Sequence, residues 1–135
     1  MVNYSYSEEG EVLVALMEGP IYMADAIAVG DFLMGSKEPN SQAKLILDFR
    51  KAKYNSSLAS LSKIYEHQRE RKRYFTSIRE AIVTNSPLET ALGFIYGKLC
   101  SNSANYQFKV FSAMEGALGW LSEPSPNASL NEINS

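Results

Sequence analysis

The sequence predicts one α/β domain, in which a mixed, mostly parallel sheet of four to five strands is covered by about four helices. Apolar runs of strand length alternate along the chain with segments whose apolar residues recur at helical spacing. The chain has 135 residues, a length that suits one domain and is short for two. We therefore expect a single domain over residues 1–122 and a flexible polar tail over 123–135.

The first two predicted strands form an antiparallel hairpin. Residues 4–7 and 11–17 have strand character, and Gly10 lies in the short turn between them. The second run is apolar on both faces, which is typical of a strand covered on both sides. The next predicted elements are a helix over 22–35, a strand over 43–49, a helix over 57–74 and a strand over 78–83.

The following helix has an explicit start. Ser86 is predicted as its cap, Pro87 as its first residue, and Glu89 stands three residues after the cap. We expect its buried stripe to be Leu88, Ala91, Leu92, Ile95 and Leu99. An alternating strand over 105–111 at a sheet edge and a short helix, opened by a second capping box at Ser112, complete the domain. Strands that alternate with helices require crossover connections, and these produce a parallel sheet.

Composition excludes several classes of function. The net charge of −2 creates no field for nucleic acid or an anionic membrane. The one basic run, at 69–73, is predicted to be a solvated helix end. No apolar run approaches the ~20 residues that a membrane-spanning helix needs, and no secretory signal is visible, so we expect a cytoplasmic protein.

No constellation of residues predicts catalysis. Cys100 is the only cysteine and His67 the only histidine, so no metal site is expected. The sequence contains no nucleophile elbow, no phosphate-binding glycine loop and no zinc-protease motif. We therefore expect a protein that is not an enzyme and has no cofactor.

Three stretches carry a family resemblance. They are a strand with an Asp-x-Arg step at 45–50, a strand-to-helix junction at 81–88, and a closing stretch at 110–121, where a phenylalanine precedes an acidic helix with Ala, Leu and Trp. With the opening hairpin, these stretches resemble the STAS family (sulfate-transporter and anti-sigma-factor-antagonist domains), especially the short bacterial STAS/SEC14-like proteins. The resemblance covers Tyr4 to Leu121 and implies a STAS-like fold with a regulatory role.

The resemblance also implies a candidate phosphorylation site. In anti-sigma-factor antagonists, a partner kinase phosphorylates a serine in an Asp-Ser-Ser/Thr-Gly pattern, at the start of the helix after the central strand. The matching residues here are Asn55, Ser56, Ser57 and Leu58, so the candidates are Ser56 and, beside it, Ser57. Asn55 stands where the pattern has Asp, and Leu58 where it has Gly. The alternative is that Ser56 or Ser57 only caps the helix.

Ligands of an open α/β sheet gather at the carboxyl ends of its parallel strands. A phosphoryl group on Ser56 would there meet the positive end of a helix dipole. For Asp48 and Arg50, the alternative to ligand binding is a simple surface ion pair. The candidate partner-binding residues of this rim are Asp48, Arg50, Asn55, Asn85 and Ser86.

We thus predict a non-catalytic regulatory or protein-interaction module, controlled by serine phosphorylation. Its partner would be a regulatory protein, such as a kinase or an anti-sigma-like protein, and a homodimer is an open alternative. The second hypothesis is a small-molecule or lipid carrier with a pocket between sheet and helices. Aromatic residues such as Phe94 and Tyr96 would line that pocket, although core packing is the alternative use for them.

Overall fold

The computed structural model describes residues 1–7, 11–71, 73–101 and 103–124. Over these residues the elements follow the predicted order, β-β-α-β-α-β-α-β-α. They are β1 (Val2–Tyr6), β2 (Val12–Ile21), α1 (Met23–Ser36), β3 (Gln42–Tyr54), α2 (Ser60–Arg71), β4 (Ser77–Val83), α3 (Pro87–Cys100), β5 (Tyr106–Phe111) and α4 (Met114–Ser122). The predicted turn at Gly10 and most of the predicted tail, 125–135, lie outside the described residues.

The five strands form one sheet in the order β1-β2-β3-β4-β5. β1 pairs antiparallel with β2, and all other neighbours pair in parallel. The hairpin, the mostly parallel sheet and the edge position of β5 are therefore confirmed. Because each crossover moves one strand further in the same direction, crossovers of a single hand place α1, α2 and α3 on one face of the sheet.

Two hydrophobic cores lie on the two faces. On the three-helix face, strand residues such as Leu13 and Leu45 pack with Leu33 of α1 and with side chains of α2 and α3. On the opposite face, which we call the α4 face, Leu121 packs near Ile46 in a smaller core. Both faces of the central strands are thus covered, which explains why their sequences are apolar on both sides.

β3 is longer than predicted and ends at Tyr54. Its register with β2 shifts between the pairs Leu16–Asp48 and Glu18–Lys51, because β3 carries one residue more than β2 there. This bulge reverses the alternation of faces: odd-numbered residues before it and even-numbered residues after it contact the larger core. Asp48 therefore lies inside the strand and not at its end.

The predicted buried stripe of α3 is wrong for three of its five members. Leu88 is 60% exposed and Ile95 is 42% exposed, and Ala91 between them is also exposed. Leu92 and Leu99 are half-buried and pack against the larger core. Only part of the most apolar stripe of this helix therefore contacts the core.

A close approach to the sheet decides which side of α3 is buried. Its buried residues are Glu89, Gly93, Tyr96 and Cys100. A Cβ atom at Gly93 would lie only 2.7 Å from Cγ2 of Val110 on β5. Glycine at this position lets the helix backbone lie against the strand.

The starts of two helices differ from the prediction. α2 begins at Ser60, three residues later than predicted, and a short turn holds residues 57–59. The cap position of α4 is Ala113, so the predicted capping box at Ser112 is wrong. None of the described helices is long and apolar enough to cross a membrane.

Candidate functional site at the carboxyl edge of the sheet

Ser56 lies at the carboxyl edge of the sheet, at the start of α1. The backbone N–H of Met23, the first residue of α1, donates a 2.9 Å hydrogen bond to Ser56 Oγ. The preceding residue is fixed to the same place, because Asn55 N–H donates to the carbonyl of Ile21 and the Asn55 side chain donates to the hydroxyl of Tyr22. The half-buried Ser56 thus caps a helix, but that helix is α1 and not α2 as the sequence indicated.

Ser57 is exposed and begins the turn that leads into α2. Its carbonyl accepts hydrogen bonds from the backbone N–H and from the hydroxyl of Ser60. The Ser60 hydroxyl also contacts the hydroxyl of Tyr54 at the end of β3. These bonds hold the segment 54–60 as a compact connection between strand and helix.

Asp48 and Arg50 form an ion pair with two parallel hydrogen bonds. Arg50 Nε donates to Asp48 Oδ1 at 3.0 Å and Nη2 donates to Oδ2 at 2.8 Å. Asp48 is buried while the guanidinium is half-exposed. The hydrogen bonds from Arg50 hold the pKa of the Asp48 carboxyl below its usual value, although burial opposes this effect.

The strand alternation separates this ion pair from Ser56. Leu47 and Phe49, on either side of Asp48, contact the larger core, so the Asp48 side chain lies on the α4 face. Ser56 caps α1 on the three-helix face. The structure therefore brings Asp48 and Arg50 together, and Asn55 and Ser56 together, as two separate groups.

The end of β4 connects to the end of β3 through a buried carboxylate. Ser86 occupies the predicted cap position of α3, but its hydroxyl donates to Glu89 Oε2 at 2.6 Å and does not cap the helix backbone. Glu89 Oε1 accepts the backbone N–H of Tyr54 at 3.2 Å. Asn85 is exposed beside this link. The rim residues of β3 and β4 thus share one hydrogen-bonded edge, and Glu89 is the member that sequence reasoning missed.

A cavity of about 70 Å³ lies below this edge, between the sheet and the three helices. Its walls are mostly apolar side chains from β3, β4 and β5 and from all three helices. The acidic side chains that line it are Glu80 and Glu89, and both are almost fully buried, at 3% and 2% exposure. Buried carboxylates in an apolar wall are costly unless they are paired, so their partners matter.

A chain of buried polar groups reaches the cavity from the surface. Arg71 Nη2 donates to Asp31 Oδ1 at 2.7 Å, and Arg71 Nη1 donates to Gln68 Oε1 at 2.7 Å. Gln68 Nε2 donates to Glu80 Oε1 at 3.2 Å, and the hydroxyl of Tyr106 donates to Glu80 Oε2 at 3.1 Å. We call this chain the buried network; it joins α1, α2, β4 and β5.

Arg71 corrects the expectation that residues 69–73 form a solvated helix end. Only 4% of Arg71 is exposed, while Arg69 and Arg73 face solvent. Lys72 lies outside the described residues. A Cβ atom at Gly30 would collide with the Arg71 guanidinium, so the glycine in α1 makes room for it. In the sequence, Gly30 within the helix predicted over 22–35 is the feature that indicates such a close approach.

Burial controls the protonation of the inner end of the network. Desolvation raises the pKa of Glu80 from 4.5 to about 7, although hydrogen bonds from Tyr106 and Gln68 and the charge of Arg71 oppose the shift. Burial likewise raises the pKa of Tyr106 and of Tyr96, whose hydroxyls lie 3.0 Å apart. Glu80 can therefore exchange a proton near neutral pH. Among the described residues, no group of three or more His, Cys, Asp or Glu side chains could hold a metal ion.

Comparison with solved structures identifies the fold. The chain is similar to an uncharacterized protein from the DUF3478 family, of Shewanella loihica, which has a SpoIIAA-like fold. The TM-score is 0.59 at 18% sequence identity, over 90% of this chain and 92% of that chain. No protein-family model and no curated protein matches the sequence. The chain therefore has a SpoIIAA-like fold, the STAS-like architecture that its sequence predicted.

Proposed function

We propose that this protein is a non-catalytic module that binds a regulatory protein through the carboxyl edge of its sheet, under the control of phosphorylation at Ser56. The observation that carries the proposal is the position of Ser56 Oγ, which accepts the first backbone N–H of α1. Ser57 and Asn55, on either side of it, are exposed. A partner or a kinase would therefore reach this segment at the surface.

Electrostatics favours a phosphoryl group at this position. The first N–H groups of a helix have no partners within the helix, and the helix dipole is positive at that end. A phosphoserine carries about −1.5 to −2 charges at neutral pH and offers three acceptor oxygens. Phosphorylation of Ser56 would therefore add negative charge where the start of α1 stabilises it. It would also change the charge of the docking surface.

Exposed apolar side chains provide the remainder of the proposed docking surface. Tyr22, Leu58 and Leu88 are 47%, 57% and 60% exposed. Tyr22 precedes α1, Leu58 precedes α2 and Leu88 lies in the first turn of α3. Because helices that follow parallel strands all begin at the same edge of the sheet, these side chains lie on the side of the molecule that carries Ser56.

The test measures both modification and partner binding. We expect intact-mass measurement of the protein from its native host to find a phosphorylated fraction that disappears in Ser56→Ala. We also expect Ser56→Glu to change the set of proteins retained in affinity purification. Ser101→Glu, at an exposed serine at the far end of α3, is the matched control. An unmodified mass together with identical partners for Ser56→Glu would refute the proposal.

A second candidate function is supported by the cavity on the three-helix face. We infer that the protein carries a small molecule there, as an alternative to partner binding. The cavity volume of about 70 Å³ is roughly half that of an engineered protein cavity of ~150 Å³ that binds benzene. A ligand of a few heavy atoms fits this volume, whereas a lipid needs more space. Native mass spectrometry of the purified protein tests this candidate, since a carried ligand adds a discrete mass.

A further inference from the structure

The two glutamates of the cavity differ in how their charge is balanced. Glu89 lies in the first turn of α3, where the helix dipole favours an anion. Its two oxygens accept the Tyr54 backbone N–H and the Ser86 hydroxyl. Such donors at a helix start offset the cost of burying a carboxylate. Glu89 therefore needs no further partner.

Glu80 lacks these advantages. It lies in the middle of β4, between Leu45 on β3 and Phe108 on β5, away from any helix start. Its two hydrogen bonds, from Gln68 and Tyr106, leave acceptor capacity, because an ionised carboxylate offers about four lone-pair sites. Among the residues that the structure describes, none that hydrogen-bonds or ion-pairs with Glu80 carries a full positive charge.

The charged and titratable groups around Glu80 do not supply a counter-ion. From α2, Arg71 lies beyond Gln68 and already pairs with Asp31 of α1. From β5 comes Tyr106, and from α3 come Tyr96 and Cys100, which would add negative charge if they ionised. Asp31 is largely exposed to solvent, and the Arg71 charge favours an ionised Glu80 only through the intervening Gln68. An ionised Glu80 therefore has no directly paired cation among the described residues, although it lies beside an apolar cavity.

We propose that the cavity binds a small alkylammonium ion, with its charged nitrogen at the Glu80 carboxylate and its alkyl chain against the apolar wall. This inference rests on the second candidate function and names its ligand class. The ammonium group supplies the missing counter-charge and three hydrogen-bond donors. The alkyl chain gains from contact with Leu47, Ile82 and Leu92.

Proton exchange at Glu80 sets the expected pH dependence. Primary amines keep their charge through neutral pH, as lysine does. Since burial raises the pKa of Glu80 to about 7, the ionised fraction rises about tenfold from roughly pH 6 to roughly pH 8. Affinity for the ammonium probe is therefore expected to rise by about the same factor over this range. A neutral probe of the same shape should show no such increase.

The experiment uses the full chain, n-propylammonium as probe and 1-propanol as its neutral counterpart. Binding is measured by titration with amide chemical-shift mapping at both pH values. At the higher pH we expect n-propylammonium to bind at least about tenfold more tightly than 1-propanol, with shifts in residues that line the cavity. Glu80→Gln should remove this preference and its pH dependence.

Two further variants keep the test interpretable if Glu80→Gln disturbs the fold. Leu92→Phe leaves Glu80 in place and fills part of the cavity, so it should weaken binding of both probes. Asp48→Asn removes a buried carboxylate on the α4 face and should leave probe binding unchanged. The amide spectrum of each variant reports whether it is folded.

The possible results separate the two ideas. Equal affinity for the amine and the alcohol, insensitive to Glu80→Gln, would overturn the ammonium inference while leaving a cavity that carries small molecules. No binding of either probe at millimolar concentration would overturn both. Ammonium binding that Asp48→Asn abolishes and Glu80→Gln preserves would place the site on the wrong face and refute the inference.

Discussion

The two faces of the sheet bury charge in opposite ways. On the α4 face, the buried Arg79 donates to the terminal carbonyls of α4, those of Trp120 and Glu123, and to the side chain of Gln107. Its guanidinium also stacks over the Trp120 ring, 4.5 Å from its centre. On the three-helix face, Glu80 borders a cavity and accepts hydrogen bonds from two donors among the described side chains, Gln68 and Tyr106.

This difference separates a structural charge from a candidate functional one. The hydrogen bonds of Arg79 satisfy carbonyls that every helix end leaves without intrahelical partners. Arg79 therefore fastens α4 to the sheet, and each of its guanidinium nitrogens already donates a hydrogen bond. Glu80 satisfies no helix end, and burial favours its neutral form. A buried carboxylate that satisfies no helix end and borders a cavity is more typical of a binding site than of a scaffold.

The largest expected effect is on the α4 face. Arg79→Gln should lower the free energy of unfolding by about 3 kcal/mol, because it removes the guanidinium hydrogen bonds to the Trp120 and Glu123 carbonyls and the stacking on the Trp120 ring. Urea denaturation measures it. Arg50→Gln is the matched control, since its guanidinium is half-exposed. Equal losses for both variants would mean that Arg79 does not fasten α4.

Glu80 should make stability depend on pH. Below 4.5 the carboxyl is protonated in both states, and between 4.5 and about 7 the unfolded chain releases a proton that the native state keeps. Native stability therefore falls over this range. Relative to Glu80→Gln, the wild type should lose about 3 kcal/mol between low pH and pH above 7. Parallel stability curves for the two proteins would contradict the assignment.

A pair of glycine substitutions compares a helix residue packed against the sheet with one that faces solvent. Gly93→Ala should cost about 2 kcal/mol, because the new Cβ would meet Val110 at 2.7 Å. Gly119→Ala on α4 has open space around the new atom and should stabilise the helix by about 0.5–1 kcal/mol. Thermal unfolding measures both changes. Equal effects of the two substitutions would contradict the difference in space around these glycines.

The smallest effect concerns the ion pair of Asp48 and Arg50. Arg50→Gln should lower the free energy of unfolding by about 0.5–1 kcal/mol at neutral pH, since the guanidinium is half-exposed. Arg50 lowers the native pKa of Asp48, so the difference should shrink as pH falls through that pKa. Chemical denaturation at neutral and acid pH checks it. A difference that persists when Asp48 is protonated would point to lost packing instead.

Local patterns predicted the architecture well. The order of elements, the hairpin and the edge position of β5 all followed from apolar periodicity and from Gly and Pro punctuation. Periodicity failed for α3, where Leu88 and Ile95 are exposed and Glu89 is buried. The reason is tertiary: Gly93 brings that side of the helix to the sheet, and hydrogen bonds from Tyr54 and Ser86 make the burial of Glu89 tolerable.

The candidate sites were predictable only in part. Sequence placed Ser56 near the carboxyl edge, because a strand that leads into a helix must end there. It could not identify α1 as the helix that Ser56 caps, since the bond to Met23 spans 33 residues. The buried network was missed for the same reason. In the sequence, Arg71 and Glu80 look like ordinary surface charges. Segments that are distant along the chain bury them in the folded protein.

The bulge in β3 has a consequence for how such a protein can change during evolution. The single extra residue uncouples the outer part of the strand, which carries Tyr54 to Ser56, from the inner part that pairs across the centre of the sheet. Insertions or deletions near residue 50 would therefore re-aim the outer part while the inner pairs keep their partners. A chain with one residue more or fewer there would keep the pairs at the centre of the sheet, but Ala52 and Tyr54 would exchange the larger core for the opposite face.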